Sequence, residues 1–265
     1  MKASCIQMNT VLGNKLENLK KAERLIERAA REGVKLIVLP ELFNTGYRVE
    51  EHDAALAETI PGETTEWMTT LSQKYDLYLI GCILERHISR GLVYDTAVMT
   101  GPKGVLGSYR KQNLWDTEKN RFTKGNELTL IDIGDVKIGL LICYEVGFPE
   151  PARFLAANGA DILIYSSAFG EARSYAWDLA TRARALENGC YVLASNRSGM
   201  EKNETVFAGM SRIVDPKGTV LVEAEKEDDI ILFDLNFETV VKQRQAIPYL
   251  RDVTYYDEKG GIRND

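Results

Sequence analysis

Apolar and polar positions along the chain switch between two periods, one near two and one near 3.6. The stretch "KASCIQM" (2–8) reads as a strand. It is followed by "NKLENLKKAERLIERAAREG" (14–33), where Leu16, Leu19, Ala22, Leu25, Ile26 and Ala29 fall on one helical face and Gly33 closes the run. "VKLIVLP" (34–40) is a continuous apolar run of the kind a sheet covered on both faces requires. "GETTEWMTTLSQKYD" (62–76) returns to helical spacing, and "LYLIGCILE" (77–85) to strand.

The middle of the chain reads as paired strands. "LVYDTAVMT" and "VLGSYRK" flank the turn "GPKG" (101–104), and "ELTLIDI" and "VKIGLLIC" form a second pair. A helix is predicted from about Pro149, then the strand "ADILIYSS", the helix "EARSYAWDLATRARALENG" and the strand "CYVLASN". "SRIV" and "TVLVEAE" flank a second turn, "DPKG" (215–218), and "DIILFDL" is the last strand. Two turns of the form xPKG, each before a Val-containing strand, fit two similar halves; they also fit the general preference of turns for Pro and Gly. No linker splits the chain. The pattern predicts one domain of mixed sheets covered by helices over 1–245, then a polar C-terminal tail over 246–265, with three tyrosines, either frayed or docked on a partner subunit.

Composition narrows the class. Of the 265 residues, 45% are hydrophobic and 27% charged, the mix of a globular protein in water. Formal net charge is −6, with no basic stripe, so neither nucleic acid nor an anionic membrane surface is an expected partner. No apolar stretch nears the roughly 18 residues of a membrane span, and the start, "MKASCIQMNT", turns polar too soon for a signal peptide. A cytoplasmic setting, with reduced thiols, is the expectation.

Chemistry starts from the cysteines. Cys5, Cys82, Cys143 and Cys190 are far apart, with no metal-ligand spacing. Three lie within or at the start of strand-like segments, where a cysteine is ordinary core filler. Cys143 closes an apolar strand just before a turn and a helix, the place where open α/β sheets bind ligands. The helix beginning near Pro149 would there lower the thiol pKa. A nucleophilic cysteine needs a base, yet the chain has two histidines, His52 in an acidic segment and His87 past a strand end, and both read as surface residues. Other polar groups also stand at strand ends. Glu41 follows "LIVLP", where desolvation would raise its pKa toward that of a base, and Lys111 ends "GSYRK", where it could hold an oxyanion. Singly, each could equally be a solvated strand end.

Together, "LPELFNTGY", "YRKQNLWDTEKNRFTKG", "GLLICYEVGFPEPAR" and "YSSAFGEA" resemble the nitrilase superfamily of carbon–nitrogen hydrolases, in the family's order over residues 1 to about 245. The resemblance implies an α/β fold, a four-layer αββα sandwich of two mixed β-sheets flanked by helices. It implies Glu41 as general base, Lys111 as oxyanion-stabilising lysine, Cys143 as nucleophile and Glu118 as a second glutamate that positions substrate and lysine. It implies hydrolysis of a small amide through a thioester, with no metal or organic cofactor, in a homodimer or higher homo-oligomer. Tyr47, Tyr144, Phe169 and Arg173 are the expected pocket residues, with Arg173 suited to a substrate carboxylate. Nitrile-cleaving relatives show Cys-Trp-Glu, so Cys143-Tyr144-Glu145 favours an amide. Gly147 and Asn113 depart from the family's frequent arginine and histidine and leave the substrate open. A nitrilase, an N-carbamoyl amide hydrolase and a catalytically silent binding protein are the competing readings.

Overall fold

The computed structural model describes residues 1–88 and 91–254. Its strands are β1 (Lys2–Gln7), β2 (Leu36–Val38), β3 (Tyr78–Arg86), β4 (Val93–Gly101), β5 (Gly104–Arg110), β6 (Thr129–Asp132), β7 (Lys137–Ile142), β8 (Ile162–Ser167), β9 (Tyr191–Asn196), β10 (Met200–Glu201), β11 (Thr205–Val206), β12 (Arg212–Val214), β13 (Val220–Glu223) and β14 (Asp229–Asp234). The helices are α1 (Lys15–Arg31), α2 (Asp53–Leu56), α3 (Glu63–Tyr75), α4 (Glu118–Arg121), α5 (Pro149–Ala157), α6 (Ser174–Asn188), α7 (Glu238–Ala246) and α8 (Tyr249–Asp252).

Twelve strands form two six-stranded sheets, ordered β14-β1-β2-β3-β4-β5 and β13-β12-β9-β8-β7-β6. In each sheet three parallel strands (β1, β2, β3 and β7, β8, β9) are flanked by antiparallel neighbours. The two sheets thus match strand for strand. The two xPKG turns occupy equivalent places, joining β4 to β5 and β12 to β13 at the outer edges. That correspondence favours two similar halves over coincidence.

Side-chain alternation assigns the layers. In β3, Ile80 and Cys82 join the core between the sheets, while Leu79 and Ile83 pack under helices. Leu19, Ala22, Leu25, Ile26 and Ala29 of α1 pack with Met68 and Leu71 of α3 on the first sheet. Leu155 of α5 and Trp177 and Ala185 of α6 cover the second. The result is the expected helix–sheet–sheet–helix sandwich. Each buried Leu or Ile on these faces contributes about 1.5–3 kcal/mol, so a charge at Ile26 would weaken the seat of α1 on the sheet.

One helical-face assignment is corrected. Leu16 is 65% exposed, and in the first turn of α1 it is Asn18 that is buried, its side chain donating to the Val11 and Asn44 carbonyls. Asn14 caps this helix, its side chain accepting from the Glu17 N–H. The sequence pattern gave no sign of α7 or of the β10–β11 hairpin. Residues 246–254 of the tail include α8, which packs on α5 and α6 of its own chain; residues 255–265 lie outside the described residues. Among the described residues, no helix is long and apolar enough to cross a membrane.

Candidate active site

The ends of β2, β5, β7 and β8 meet at one rim of the sandwich, and the predicted reactive groups stand there. Glu41 lies three residues past β2 and is fully buried. Its backbone N–H donates to Ser167 O (3.3 Å), and its Oε2 accepts from the Ala168 N–H (2.7 Å), so the first sheet's carboxylate is anchored to the end of β8 in the second. Lys111 directly follows β5, with its N–H donating to Asp95 O (2.9 Å). Its Nζ, also fully buried, donates to Glu41 Oε1 at 2.6 Å and to Glu118 Oε1 at 2.9 Å. Glu118 opens α4 and is held further by the Tyr47 hydroxyl (2.7 Å to Oε1) and the Trp115 N–H (2.7 Å to Oε2).

Cys143 is the first residue after β7 and starts a short 3₁₀ turn, Cys143–Gly147. Its φ is +48°, a left-handed conformation that costs a non-glycine residue about 1–2 kcal/mol. Such strain persists only where the surroundings impose it, and it commonly marks a functional site. Here it turns the side chain out of the strand toward Glu41 and Lys111. Cys143 is 7% exposed, enough to be reached from an adjoining cavity of about 640 Å³. Tyr47, Tyr144, Phe169 and Arg173 all line this cavity, together with Trp115. Trp115 meets Tyr144 edge-on (4.8 Å between centroids) and carries the Arg173 guanidinium over its face (4.6 Å). Among the described residues Arg173 has no carboxylate within ion-pairing distance, so its charge is available to whatever enters. A Cβ on Gly147, another lining residue, would meet nothing within 4 Å.

Electrostatics set the protonation states. Burial pushes the Glu41 carboxyl up to about 7, Lys111 pulls it down, and Asp95 pushes it up again. Burial alone would lower the Lys111 ammonium, but Glu118, Glu41 and Asp95 outweigh it and hold it well above the ordinary lysine value. The Cys143 thiol lies well above its usual value, because burial and the Glu41 charge prevail over Lys111. This corrects the expectation of a helix-lowered thiol: α5 starts six residues later, behind the 3₁₀ turn, and Cys143 rests as a neutral thiol that needs a base.

Three participants escaped the sequence reading. Glu145, fully buried, accepts from the Tyr109 hydroxyl (2.7 Å) and the Gln112 and Asn113 N–H groups (2.9 and 3.1 Å) on Oε1, and from the Ile142 N–H (2.9 Å) on Oε2. It thereby ties the turn after Lys111 to the strand end before Cys143. Glu201, on the β10–β11 hairpin, accepts from the Tyr47 and Arg48 N–H groups and the Arg197 guanidinium, which fixes the loop that delivers Tyr47. Asp95, on β4, completes a ring of carboxylates around Lys111. It lies on the same face of β4 as Ala97 and Met99, which pack between the sheets. The carboxylates of Glu41, Asp95 and Glu118 lie within 4.8 Å of one another, a spacing suited to a cation, and the Lys111 ammonium stands among them. Cys82 is more than filler, since its thiol donates to Asp95 Oδ1 (2.8 Å). His52 is exposed, as expected.

Comparison with known proteins identifies relatives along almost the whole chain. The family model for carbon-nitrogen hydrolase matches residues 2–245. A protein of Pyrococcus abyssi described as a nitrilase is 35% identical over 252 residues, covering 92% of this chain and 93% of its own. The omega-amidase NIT2 of Xenopus tropicalis is 35% identical over 248 residues, 89% of each chain. The crystal structure of Saccharomyces cerevisiae Nit3, described as a member of branch 10 of the nitrilase superfamily, superposes with a TM-score of 0.88 at 32% identity over 94% of both chains.

Proposed function

The chain belongs to the carbon–nitrogen hydrolase family, and from that premise we propose that it hydrolyses a small, non-peptide amide to a carboxylic acid and ammonia through a thioester on Cys143. The observation that carries this reading is the fully buried pair of Lys111 Nζ and Glu41 Oε1 at 2.6 Å, facing a cysteine in a left-handed turn at a cavity floor. A carboxylate poised near neutral pH suits proton transfer in both directions.

In this mechanism Glu41 takes the Cys143 thiol proton as sulfur attacks the amide carbon. The oxyanion is held by Lys111 and the Tyr144 backbone N–H. As the C–N bond breaks, Glu41 passes its proton to the nitrogen, and ammonia leaves a thioester. Water then loses a proton to Glu41 and attacks the thioester carbon; the C–S bond breaks and the proton returns to sulfur. Splitting one difficult displacement into two is what the covalent route achieves. Glu118, held by three donors, keeps Lys111 in place throughout.

Tyr144 after the cysteine supports an amide over a nitrile, although relatives described as a nitrilase and as an omega-amidase are equally similar. The uncompensated Arg173 supports a substrate with an anionic tail. Exposed Phe154, Tyr175 and Leu179 on neighbouring helices support a homodimer, which sedimentation would test. The function is tested by ammonia release from a panel of small amides, N-carbamoyl compounds and nitriles against a Cys143→Ala control. Release from amides alone, lost in the control, is expected. Release only from nitriles, or equal release by the control, overturns the reading.

A further inference from the structure

Three carboxyl groups crowd one ammonium in a space closed to solvent: Glu41, Asp95 and Glu118 are each fully buried around the fully buried Lys111. Three negative charges against one positive are not sustainable in such a medium, so at least one carboxyl must carry a proton. Hydrogen-bond donors indicate which. Glu118 has both oxygens satisfied by Lys111, the Tyr47 hydroxyl and the Trp115 N–H. Glu41 has both satisfied by Lys111 and the Ala168 N–H. Asp95 accepts only the weak Cys82 thiol on Oδ1, and its buried Oδ2 has no hydrogen-bond partner. Lys111 Nζ stands 3.4 Å from that oxygen, close enough for charge attraction but outside hydrogen-bond alignment.

We propose that Asp95 and Glu41 hold one proton between them across the working pH range, resting on Asp95, and that this proton keeps the third N–H of Lys111 free for the oxyanion. An ammonium has three donors. Glu41 and Glu118 take two. A neutral Asp95 competes weakly for the last, whereas an ionised Asp95 would draw it away from the reacting carbonyl. The groups facing Asp95 are Cys82 from β3, Lys111 after β5, Glu41 after β2 and Glu118 from α4; the Cys143 thiol and the Tyr47 hydroxyl lie one group further out. Burial pushes Asp95 above the ordinary aspartate range against the pull of Lys111 and of its contact with Glu41, and the Glu118 charge adds to the rise; it is the missing donors at Asp95 that assign the proton to it. Asp95 is therefore a positioning residue acting through Lys111 and Glu41. Its proton is not consumed, and the pair titrates as a unit with two macroscopic steps.

The inference rests on Glu41 being the base, so its test has a readout independent of turnover. Infrared spectra of the whole protein at pH 7.5 should show a protonated-carboxyl stretch that is lost in both Asp95→Asn and Glu41→Gln, because a shared proton needs both partners. No such band in the unsubstituted protein, or its survival in Asp95→Asn, overturns the proposal. In turnover, Asp95→Asn mimics the protonated acid. Its acid limb should stay in place. Its alkaline limb should move up by about one pH unit or more. An unmoved alkaline limb, or loss of turnover at every pH in a folded variant, overturns it. Should Asp95→Asn fail to fold, the whole protein with carbon-13 carboxyl-labelled aspartate decides: the band should shift with the label, and an unshifted band overturns the proposal. If Glu41 is not the base, the infrared result stands while the limb assignments fail.

Discussion

Replacing Glu41 by glutamine should make the protein more stable and nearly inert, and the stability gain should grow with pH. The side chain is fully buried, and its carboxyl is raised from 4.5 to about 7, with burial the largest cause. A folded-state pKa above the unfolded value means that the stabilising difference is complete below pH 4.5 and is lost as pH rises through 7. The full loss is about 3 kcal/mol above pH 7, and just under 1 kcal/mol of it has already occurred at pH 5. Glutamine keeps the shape and can still accept from Ala168 and Lys111, but it does not ionise. The stability difference between Glu41→Gln and the unsubstituted protein should therefore widen by about 2.5 kcal/mol between pH 5 and pH 8. At about 2–4 °C per kcal/mol for a chain of this size, that is a widening of about 5–10 °C in Tm. Calorimetry of both proteins at half-unit steps, beside ammonia release, measures the two effects. Turnover should drop by about 10²–10⁴-fold, the usual contribution of a positioned base. A Tm gap that stays flat or closes with rising pH would refute the electrostatic reasoning, and normal turnover would remove Glu41 as the base.

Two further outcomes follow from the site's supports. Glu145→Ala leaves the Tyr109 hydroxyl and three backbone N–H groups without their acceptor; at about 1–3 kcal/mol for a buried group left unmet, it should lower Tm, opposite in sign to Glu41→Gln, and slow turnover, as unfolding and steady-state kinetics would show. Gly147→Leu adds bulk where a Cβ meets open cavity, so Tm should move little while KM rises about tenfold or more for long or branched amides and changes little for the smallest.

Elements built on a steady period were legible in the sequence. The parallel strands, α1, α3, α5 and α6 follow from runs long enough to show alternation or a helical face. The short β10–β11 hairpin and α7 were not, because two-residue strands have no period and α7 buries few positions, Val240 and Gln243 among them. At the site, Glu41, Lys111 and Cys143 stood out as polar residues at the ends of apolar strands. Asp95 and Glu145 did not. Asp95 sits early in β4, where a polar residue reads as the solvent face of an edge strand, yet every residue of β4 is buried. Glu145 follows the nucleophile by two residues and resembles an ordinary turn acid; its four donors come from positions 30 and more residues upstream as well as from its own strand end, and spacing along the chain cannot show that.

The division of the site between sheets bears on how the protein matures as it is made. Glu41, Asp95 and Lys111 belong to the first sheet, and Cys143 to the second. The first sheet is completed only by β14, which pairs with β1 across more than 220 residues of chain. A growing polypeptide therefore emerges with its acidic cluster tens of residues ahead of its nucleophile, and with the edge of β1 unpaired until residue 234 has followed. The base gains its anchor in the second sheet, Ser167 and Ala168, only after the nucleophile itself has been made. The acidic half of the site and its nucleophile thus come together only through the packing of one sheet on the other, which no segment of the chain can supply by itself.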